Sequence, residues 1–434
     1  MSQTLDGTNG VSNHVFTPSD SSPLTQPNGT SSSGRARPRL FEKCDRFTKA
    51  DELRALGLYP YFRTIESAQD TEVIISGRKM LMLGSNSYMG LTNDPRIKEA
   101  AKKAVDKYGS GCAGSRFLNG TLDIHTELEE QIAHYLDKEA AIVFTTGFQT
   151  NLGVISALVG REDAVFVDRT DHASIMDGAR LSFGKLIKFA HNDVEDLDRL
   201  LERTEAKGKM IIVDGIYSME GDIAKLPEIV QVAKKHNAGI FVDDAHSIGV
   251  LGKIGNGTAD HFNLTDDIDL IGGTFSKSLA SIGGYVAADK AIIDYLRHHA
   301  RALIFSASMA PACVAATQAA LQIIINEPER REALWRNTHF MLDGLQRIGF
   351  DTGDSETPIL PVVIGEMEKC FLMWRALHDA GIFVNPVVAP ATPPDRTLIR
   401  LSVMATHTID QLTYALDVME KIGRQLGIVG KAEV

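Results

Sequence analysis

The sequence has little of what a membrane-spanning or secreted protein requires. None of the apolar runs in its 434 residues reaches the length of about 20 residues that spans a bilayer. The first residues also lack the basic segment and following apolar stretch of a secretory signal. The four cysteines are scattered, without a C-x-x-C pair or a histidine cluster, so they indicate no zinc site. We therefore expect a cytoplasmic protein with reduced thiols.

The sequence also has fewer positively than negatively charged residues. The chain has 45 lysines and arginines against 56 aspartates and glutamates, so its formal net charge is −11. Because no basic excess is available to meet phosphates, nucleic acid is not expected as a partner. The content of 44% hydrophobic and 23% charged residues is that of an ordinary globular protein.

Composition and pattern divide the chain into four parts. Residues 1–39 are rich in Ser, Thr, Asn, Gly and Pro. We predict that they form a disordered N-terminal tail, because they cannot bury enough apolar surface to offset the entropy of ordering. An N-terminal segment follows over residues 40–100. We then expect a large catalytic domain over 101–310 and a smaller C-terminal α+β domain over 311–434.

Short apolar strands alternate with amphipathic helices through the middle of the chain. The strands are predicted at 140–144, 164–168, 186–189, 210–214, 239–243 and 266–271. This alternation predicts an α/β fold in which helices cover both faces of a mostly parallel sheet. In such sheets, ligands bind at the carboxyl ends of the strands.

Polar side chains follow several of these strands. They are His172, Ser218, Asp243, His246 and Lys277. Lys277 stands out because it lies between small residues, where a planar ligand has room to reach its amine. A lysine that forms a Schiff base with a carbonyl cofactor needs such a setting. By itself it is better explained as a surface lysine in a Gly/Ser loop, and only the convergence of strand ends favours a site.

Two glycine-containing segments also suggest ligand contacts. The G-x-G-x-x-G spacing at 109–114 follows a helix rather than a strand, so it fails the test for a dinucleotide site and fits a glycine-lined active-site loop better. Thr146, Gly147 and Phe148 lie between a strand and a helix, where free N–H groups and the helix dipole suit a phosphate. Many such turns bind nothing, so this motif alone does not decide the question.

The remaining polar residues allow both a structural and a catalytic interpretation. Buried Asp243 needs a cationic partner, and a protonated pyridine nitrogen is one. His172 and His246 could contact the same ring or could be ordinary structural histidines. Asn86 is either a turn residue or an amide that faces a ligand.

Seven motifs together carry a family resemblance. They are NSYMGL (86–91), GxGxxGSR (109–116), TGF (146–148), DHAS (171–174), YSMxGD (217–222), DxAHS (243–247) and GTFSK (273–277). In order and spacing, from about residue 58 to about residue 426, the chain resembles the α-oxoamine synthases. These are fold-type I enzymes that depend on pyridoxal 5'-phosphate and join an amino acid to an acyl-CoA with loss of CO2.

The resemblance implies a role for each candidate residue. Lys277 would hold the cofactor and move the Cα proton, Asp243 would pair with the ring nitrogen, His172 would stack on the ring and His246 would contact the phenolic oxygen. The phosphate would be bound by Gly147, Phe148, Thr274 and Ser306, and Thr146 and Ser218 would complete the cofactor contacts. Arg400 and Asn86 would bind the carboxylate of the amino acid. Because Ser306 reaches in from a second subunit in this family, a homodimer with shared active sites is expected.

The motif around the lysine also bears on the substrates. Members that use glycine or alanine typically carry Gly-Lys where this chain has Ser276 and Lys277, so the chain is most similar to the bacterial serine enzymes. The resemblance implies condensation of L-serine with a long-chain acyl-CoA (palmitoyl-CoA) to 3-ketodihydrosphingosine, the first step of sphingolipid biosynthesis. The alternatives are glycine or alanine with a shorter acyl-CoA, or a silent partner subunit, although silent subunits typically lack the lysine. The acyl substrate also leaves peripheral membrane contact open.

Overall fold

The computed structural model describes residues 38–389 and 391–430, which form two compact units divided between Tyr59 and Pro60. The disordered tail predicted for residues 1–39 lies outside the described residues, except for residues 38 and 39. The first unit contains a 3₁₀ turn (Arg39–Phe41) and the short helices α1 (Glu42–Asp45) and α2 (Lys49–Ala55).

All other elements belong to the second unit. The strands are β1 (Glu72–Ile75), β2 (Arg78–Met82), β3 (Ala140–Phe144), β4 (Ala164–Asp168), β5 (Lys185–Phe189), β6 (Lys209–Asp214), β7 (Gly239–Asp243), β8 (Leu270–Thr274), β9 (Gly284–Ala288), β10 (Ile359–Gly365), β11 (Ile382–Phe383), β12 (Asn385–Val387) and β13 (Thr397–Ser402). The helices are α3 (Pro95–Tyr108), α4 (Asp123–Tyr135), α5 (Gly147–Leu158), α6 (Ala173–Leu181), α7 (Val194–Arg203), α8 (Leu226–His236), α9 (Thr258–His261), α10 (Lys290–His299), α11 (Arg301–Ile304), α12 (Pro311–Asn326), α13 (Pro328–Ile348), α14 (Met367–Asp379) and α15 (Ile409–Gln425).

The large sheet has the strand order β3-β9-β8-β7-β6-β4-β5. Only β9 among these strands runs antiparallel to its neighbours, so the expected mostly parallel sheet is confirmed. Alternate residues of each central strand enter two separate apolar cores, to which Val242 and Phe241 of β7 contribute on opposite faces. Helices α3, α4, α7, α8 and α12 cover one face, and α5, α6, α10 and α11 cover the other. This double cover explains why the central strands are apolar at nearly every position.

The strand before the candidate lysine lies later than predicted. The acidic residues expected to begin a strand at 266 form a 3₁₀ turn (Thr265–Asp267) instead, and β8 begins at Leu270 and continues through two glycines. A Cβ at Gly272 would lie 2.6 Å from the Phe241 ring, and one at Gly273 would lie 2.7 Å from the Tyr285 hydroxyl. Glycine is therefore required there because large side chains of both neighbouring strands cross β8.

Two smaller sheets complete the second unit. One has the order β10-β13-β12, and helices α13, α14 and α15 share its core. The other has the order β1-β2-β11. Helix α12 contributes Val314 and Leu321 to a core of the large sheet, although it lies after the boundary predicted at residue 311. The domain limits themselves stay a prediction.

The described part of the chain contains no helix that combines the length and the apolar character needed to cross a membrane.

The buried ring of Phe241 provides a test of this packing. Phe241 is fully buried within one of the two cores of the large sheet. Phe241→Ala should lower the free energy of unfolding by about 3–5 kcal/mol, because the removed ring leaves a cavity. Phe183, which is 69% exposed, supplies the control, and Phe183→Ala should change it by less than about 1 kcal/mol. Equal denaturation midpoints for the two variants would contradict the packing.

Candidate active site

A cavity of about 350 Å³ opens at the carboxyl ends of β4, β6, β7 and β8. Its lining consists of Thr146, Gly147, Phe148, Asn151, His172, Ser174, Asp214, Asp243, Ala245, His246, Gly273, Thr274, Ser276, Lys277, Ile282 and Gly283. The predicted residues Thr146, Gly147, Phe148, His172, Asp243, His246, Thr274 and Lys277 are all among them. The structure therefore brings together side chains that are more than 100 positions apart in the sequence.

Lys277 supplies an amine with an unusual protonation equilibrium. Burial lowers its pKa to about 8, and the positive charge of Arg400 acts in the same direction. The carboxylates of Asp243 and Asp214 oppose this by favouring the ammonium form. Roughly a tenth of the amine is consequently unprotonated at pH 7, far more than for an ordinary lysine, and a nucleophile or a general base requires this form.

Asp243 lies at the end of β7 and is 5% exposed. Its Oδ2 accepts a hydrogen bond from Asn151 Nδ2 at 2.7 Å, and its Oδ1 accepts one from the Ala245 amide at 3.0 Å. Asp243 makes no ion pair with any residue in 38–389 or 391–430. A buried carboxylate held only by neutral donors is suited to a cationic ligand in the cavity.

The two histidines of the cavity are both held in place and both neutral. His172 Nδ1 lies 2.7 Å from Ser174 Oγ, and the His172 amide donates to Asp214 Oδ2 at 3.0 Å. His246 Nδ1 lies 2.7 Å from the Tyr88 hydroxyl. Burial and the charge of Lys277 lower the pKa of both imidazoles, although Asp243 partly opposes this at His172. Each ring can therefore contact an aromatic ligand without adding positive charge.

The N-terminus of α5 lines the part of the cavity that suits an anion. Thr146 caps this helix by accepting a hydrogen bond from the Gln149 amide at 3.1 Å. The first N–H groups of a helix have no partner within it and carry partial positive charge. A Cβ at Gly147 would lie 2.7 Å from Thr274 Cβ, so glycine is required for the helix to start this close to β8.

Arg400 and its partners form a second group beside the cavity. Arg400 is 5% exposed; its Nε donates to the Ser218 carbonyl at 2.6 Å, and its Nη1 donates to Asn86 Oδ1 at 3.0 Å and to Ser402 Oγ at 2.9 Å. None of these three bonds uses the Nη2 group, and the Tyr88 phenol also interacts with the guanidinium. Asn86 Oδ1 lies 3.5 Å from the Tyr88 hydroxyl, which connects the group to His246. The three predicted residues Asn86, Ser218 and Arg400 thus meet one another, although none lines the cavity itself.

Two further predictions fall outside the cavity of a single chain. Ser306 accepts a hydrogen bond from Gln149 Nε2 at 3.1 Å and does not line the cavity. The glycine-rich loop at 109–120 does not line it either, and its Gly114 carbonyl accepts a bond from the Ser308 amide at 2.9 Å.

Asn151, Ser174 and Asp214 are among the lining residues that were not predicted from the sequence. Asn151 and Ser174 orient Asp243 and His172, and a single hydrogen bond of 2.9 Å joins them. Asp214 ends β6 in the same way that Asp243 ends β7. This equivalent position in the sequence could have indicated that Asp214 also lines the cavity. Burial and repulsion from Asp243 raise the pKa of Asp214 well above its usual value.

Comparison with known proteins gives consistent matches over most of the chain. A sequence model of the family "aminotransferase class I and II" matches residues 78–419. The chain is 56% identical over 391 residues to a serine palmitoyltransferase of Sphingobacterium spiritivorum, which covers 90% of this chain and 98% of that protein. It is 51% identical to a serine palmitoyltransferase of Bacteroides ovatus, with 90% and 99% covered. A solved structure of a serine palmitoyltransferase variant from S. paucimobilis, with bound PLP and myriocin, has a TM-score of 0.88 and 37% identity, and covers 91% of this chain and 100% of that one.

The low pKa of Lys277 can be measured in the ligand-free protein. Competitive acetylation followed by mass spectrometry should show half-maximal reactivity of Lys277 near pH 8, because burial disfavours its ammonium form. Asp243→Asn should shift this midpoint to lower pH, since the lost carboxylate favours the ammonium. Lys235 is the internal control, because a hydrogen bond to Asp198 raises its pKa. A Lys277 midpoint as high as that of Lys235 would refute the assignment.

Proposed function

We propose that this chain, which belongs to the aminotransferase class I and II family, catalyses the serine palmitoyltransferase reaction. In this reaction L-serine and a long-chain acyl-CoA, palmitoyl-CoA, give 3-ketodihydrosphingosine, CoA and CO2. The observation that carries the proposal is the single cavity that unites Lys277, Asp243, His172 and His246 with the start of α5. The identity of 56% to a serine palmitoyltransferase supports the choice of substrates.

The cavity residues fit pyridoxal phosphate as the cofactor. Lys277 supplies the amine that would bind its aldehyde, and Asp243 supplies a buried anion for its ring nitrogen. The free N–H groups of Gly147 and Phe148, beside the hydroxyl of Thr274, would hold its phosphate. The close approach of Gly147 to Thr274 is the structural sign of this cradle, because a Cβ at Gly147 would collide with Thr274. His172 would pack on the ring, and His246 would donate to its phenolic oxygen.

Each protein group then has a definite task. When bound, pyridoxal phosphate supplies an electron-accepting ring that stabilises negative charge at the substrate α-carbon. Lys277 Nζ accepts the proton from that carbon, which its pKa of about 8 permits. The Asp243 carboxylate would pair with the pyridine nitrogen and favour its protonated form. His172 and His246, whose lowered pKa values favour the neutral imidazole, would hold the ring in position without adding positive charge.

Arg400 binds the carboxylate of the amino acid in this proposal. Its Nε and Nη1 hydrogens are already used by Ser218, Asn86 and Ser402, so the guanidinium is fixed in one orientation. The remaining Nη2 hydrogens can donate to a carboxylate oxygen in a charge-assisted bond. The charge of Arg400 also lowers the pKa of both Lys277 and His246, which supports its proximity to the cavity.

A homodimer accounts for the surface near Ser306. Phe305, Leu118 and Phe117 are 74%, 78% and 50% exposed in the single chain. Large exposed apolar side chains of this kind favour burial against another protein surface. We propose that a second copy of the chain covers them, and that Ser306 contributes to the phosphate site of that copy.

A substrate panel tests the proposed reaction. We expect release of CoA with L-serine and long-chain acyl-CoA, and at least about tenfold lower kcat/KM with glycine or L-alanine. Lys277→Ala should abolish turnover and the visible absorbance of the pyridoxal-phosphate-loaded protein. A preference for glycine or alanine with short acyl-CoA would support the alternative substrates instead. Full turnover by Lys277→Ala would refute the role of the lysine.

Subunit complementation tests the shared site. Lys277→Ala and Ser306→Trp should each inactivate the protein, the latter by filling the phosphate site of the partner. Their co-expression should restore up to about a quarter of wild-type activity, since half of randomly assembled dimers are hybrids with one intact site of two. If Ser306 acts within its own chain, no activity will return.

A further inference from the structure

A bridging histidine, His191, lies in the loop between β5 and α7. His191 Nδ1 is 3.2 Å from Asp168 Oδ1, and His191 Nε2 is 3.2 Å from Asp222 Oδ2. Its Nδ1 is also 2.7 Å from the Thr170 hydroxyl. The ring packs edge-on against Tyr217, with 4.5 Å between centroids. None of these residues lines the cavity.

The contacts of His191 favour the positively charged imidazolium at neutral pH. Burial by itself would lower the pKa of the imidazole, but the hydrogen bonds to Asp168 and Asp222 raise it to about 10. Asp168 is fully buried, and the side chain of Asp222 is 12% exposed. The imidazolium therefore joins two carboxylates that would otherwise be buried without a shared cation.

The bridge fixes both ends of the turn formed by residues 217–222. The Tyr217 hydroxyl donates to Asp168 Oδ2 at 3.1 Å, and the Tyr217 amide donates to the Asp222 carbonyl at 3.1 Å. Asn192, the next residue after His191, donates through Nδ2 to Asp222 Oδ2 at 2.9 Å and to the Ile223 carbonyl at 3.0 Å. The position of this turn thus depends on the segment that carries His191.

The same turn contacts the arginine of the proposed carboxylate site. The Ser218 carbonyl, within the turn, accepts the 2.6 Å hydrogen bond from Arg400 Nε. On its other side the turn packs against residues 355–359, where the Gly221 carbonyl accepts a bond from Thr357 Oγ1 at 2.8 Å. A shift of the turn would therefore remove an acceptor that orients the Arg400 guanidinium.

We propose that His191 is a positioning residue for the amino-acid carboxylate, acting through the 217–222 turn and Ser218 on Arg400. The inference rests on the proposed function, because it requires Arg400 to bind that carboxylate. Without the imidazolium, Asp168 and Asp222 repel each other and Asp222 turns towards solvent. Ser218 then moves with the turn, and Arg400 loses the bond that fixes its orientation.

The test compares two amines on the pyridoxal-phosphate-loaded protein. Visible absorbance titrations give the dissociation constants of L-serine and of ethanolamine, which lacks the carboxylate. In His191→Gln we expect binding of L-serine to weaken about tenfold and binding of ethanolamine to change less than about twofold. His236→Gln is the matched control, because His236 also contacts an aspartate, Asp198 at 2.5 Å, but lies on α8 away from the turn. It should leave both constants unchanged.

A double-mutant cycle tests the path through the arginine. Arg400→Gln should by itself weaken the binding of L-serine. Adding His191→Gln should then have little further effect on that binding, because the guanidinium that His191 positions is already absent. Equal weakening for both amines, or a full His191→Gln effect in the Arg400→Gln background, would overturn the inference. So would unchanged L-serine binding by folded His191→Gln.

If His191→Gln does not fold, a second variant tests the same inference. Asp222→Asn removes the charge from the turn side of the bridge at constant size, and it should show the same selective loss of L-serine; an unselective loss or none would count against the inference. Failure of the proposed function itself looks different. In that case the wild-type protein does not prefer L-serine to ethanolamine, or Arg400→Gln binds L-serine as the wild type does.

Discussion

The site depends on keeping an ammonium group and carboxylates together where water is scarce. Burial disfavours the charged form of Lys277, whereas Asp243 and Asp214 favour it, and the balance gives a pKa of about 8. A lysine on the surface would remain protonated, and a buried lysine without nearby carboxylates would rarely be charged. Neither could both bind a carbonyl group as the free amine and carry a proton as the ammonium. The parallel strands make this balance possible, because their carboxyl ends bring Asp214, Asp243 and Lys277 to one edge of the sheet.

Close packing of backbone around that edge gives the cavity its shape. Gly272 and Gly273 let β8 pass between Phe241 and Tyr285, and Gly147 lets α5 begin beside Thr274. These glycines allow an amine and a helix start to line the same cavity of about 350 Å³. The cost is backbone entropy, which the two apolar cores of the sheet offset.

The proposed recognition of the substrate carboxylate depends on parts of the chain that are far apart in sequence. Arg400 belongs to the small sheet of β10, β12 and β13, yet its guanidinium is fixed by Ser218, next to the large sheet, and by Asn86, after β2. The His191 bridge extends this dependence to the loop after β5. In the proposal, the buried charge of His191 acts on the carboxylate site without touching it, because it holds the turn whose Ser218 carbonyl contacts Arg400.

Much of the site followed from the sequence alone. Short apolar strands, several of them ended or followed by a polar residue, specify a mostly parallel sheet and the edge where Asp243, His172, His246 and Lys277 meet, because strand pattern and ligand position are local properties. The sequence could not show that β8 runs from Leu270 through two glycines to Thr274. Glycine is needed within this strand because Phe241 of the neighbouring strand leaves no room for a side chain at Gly272, and that contact is visible only in the tertiary structure. Nor could it show that Asn151 holds Asp243, or that His191 bridges Asp168 and Asp222. Those pairs are distant in sequence, and only the tertiary structure decides which buried carboxylate meets which donor.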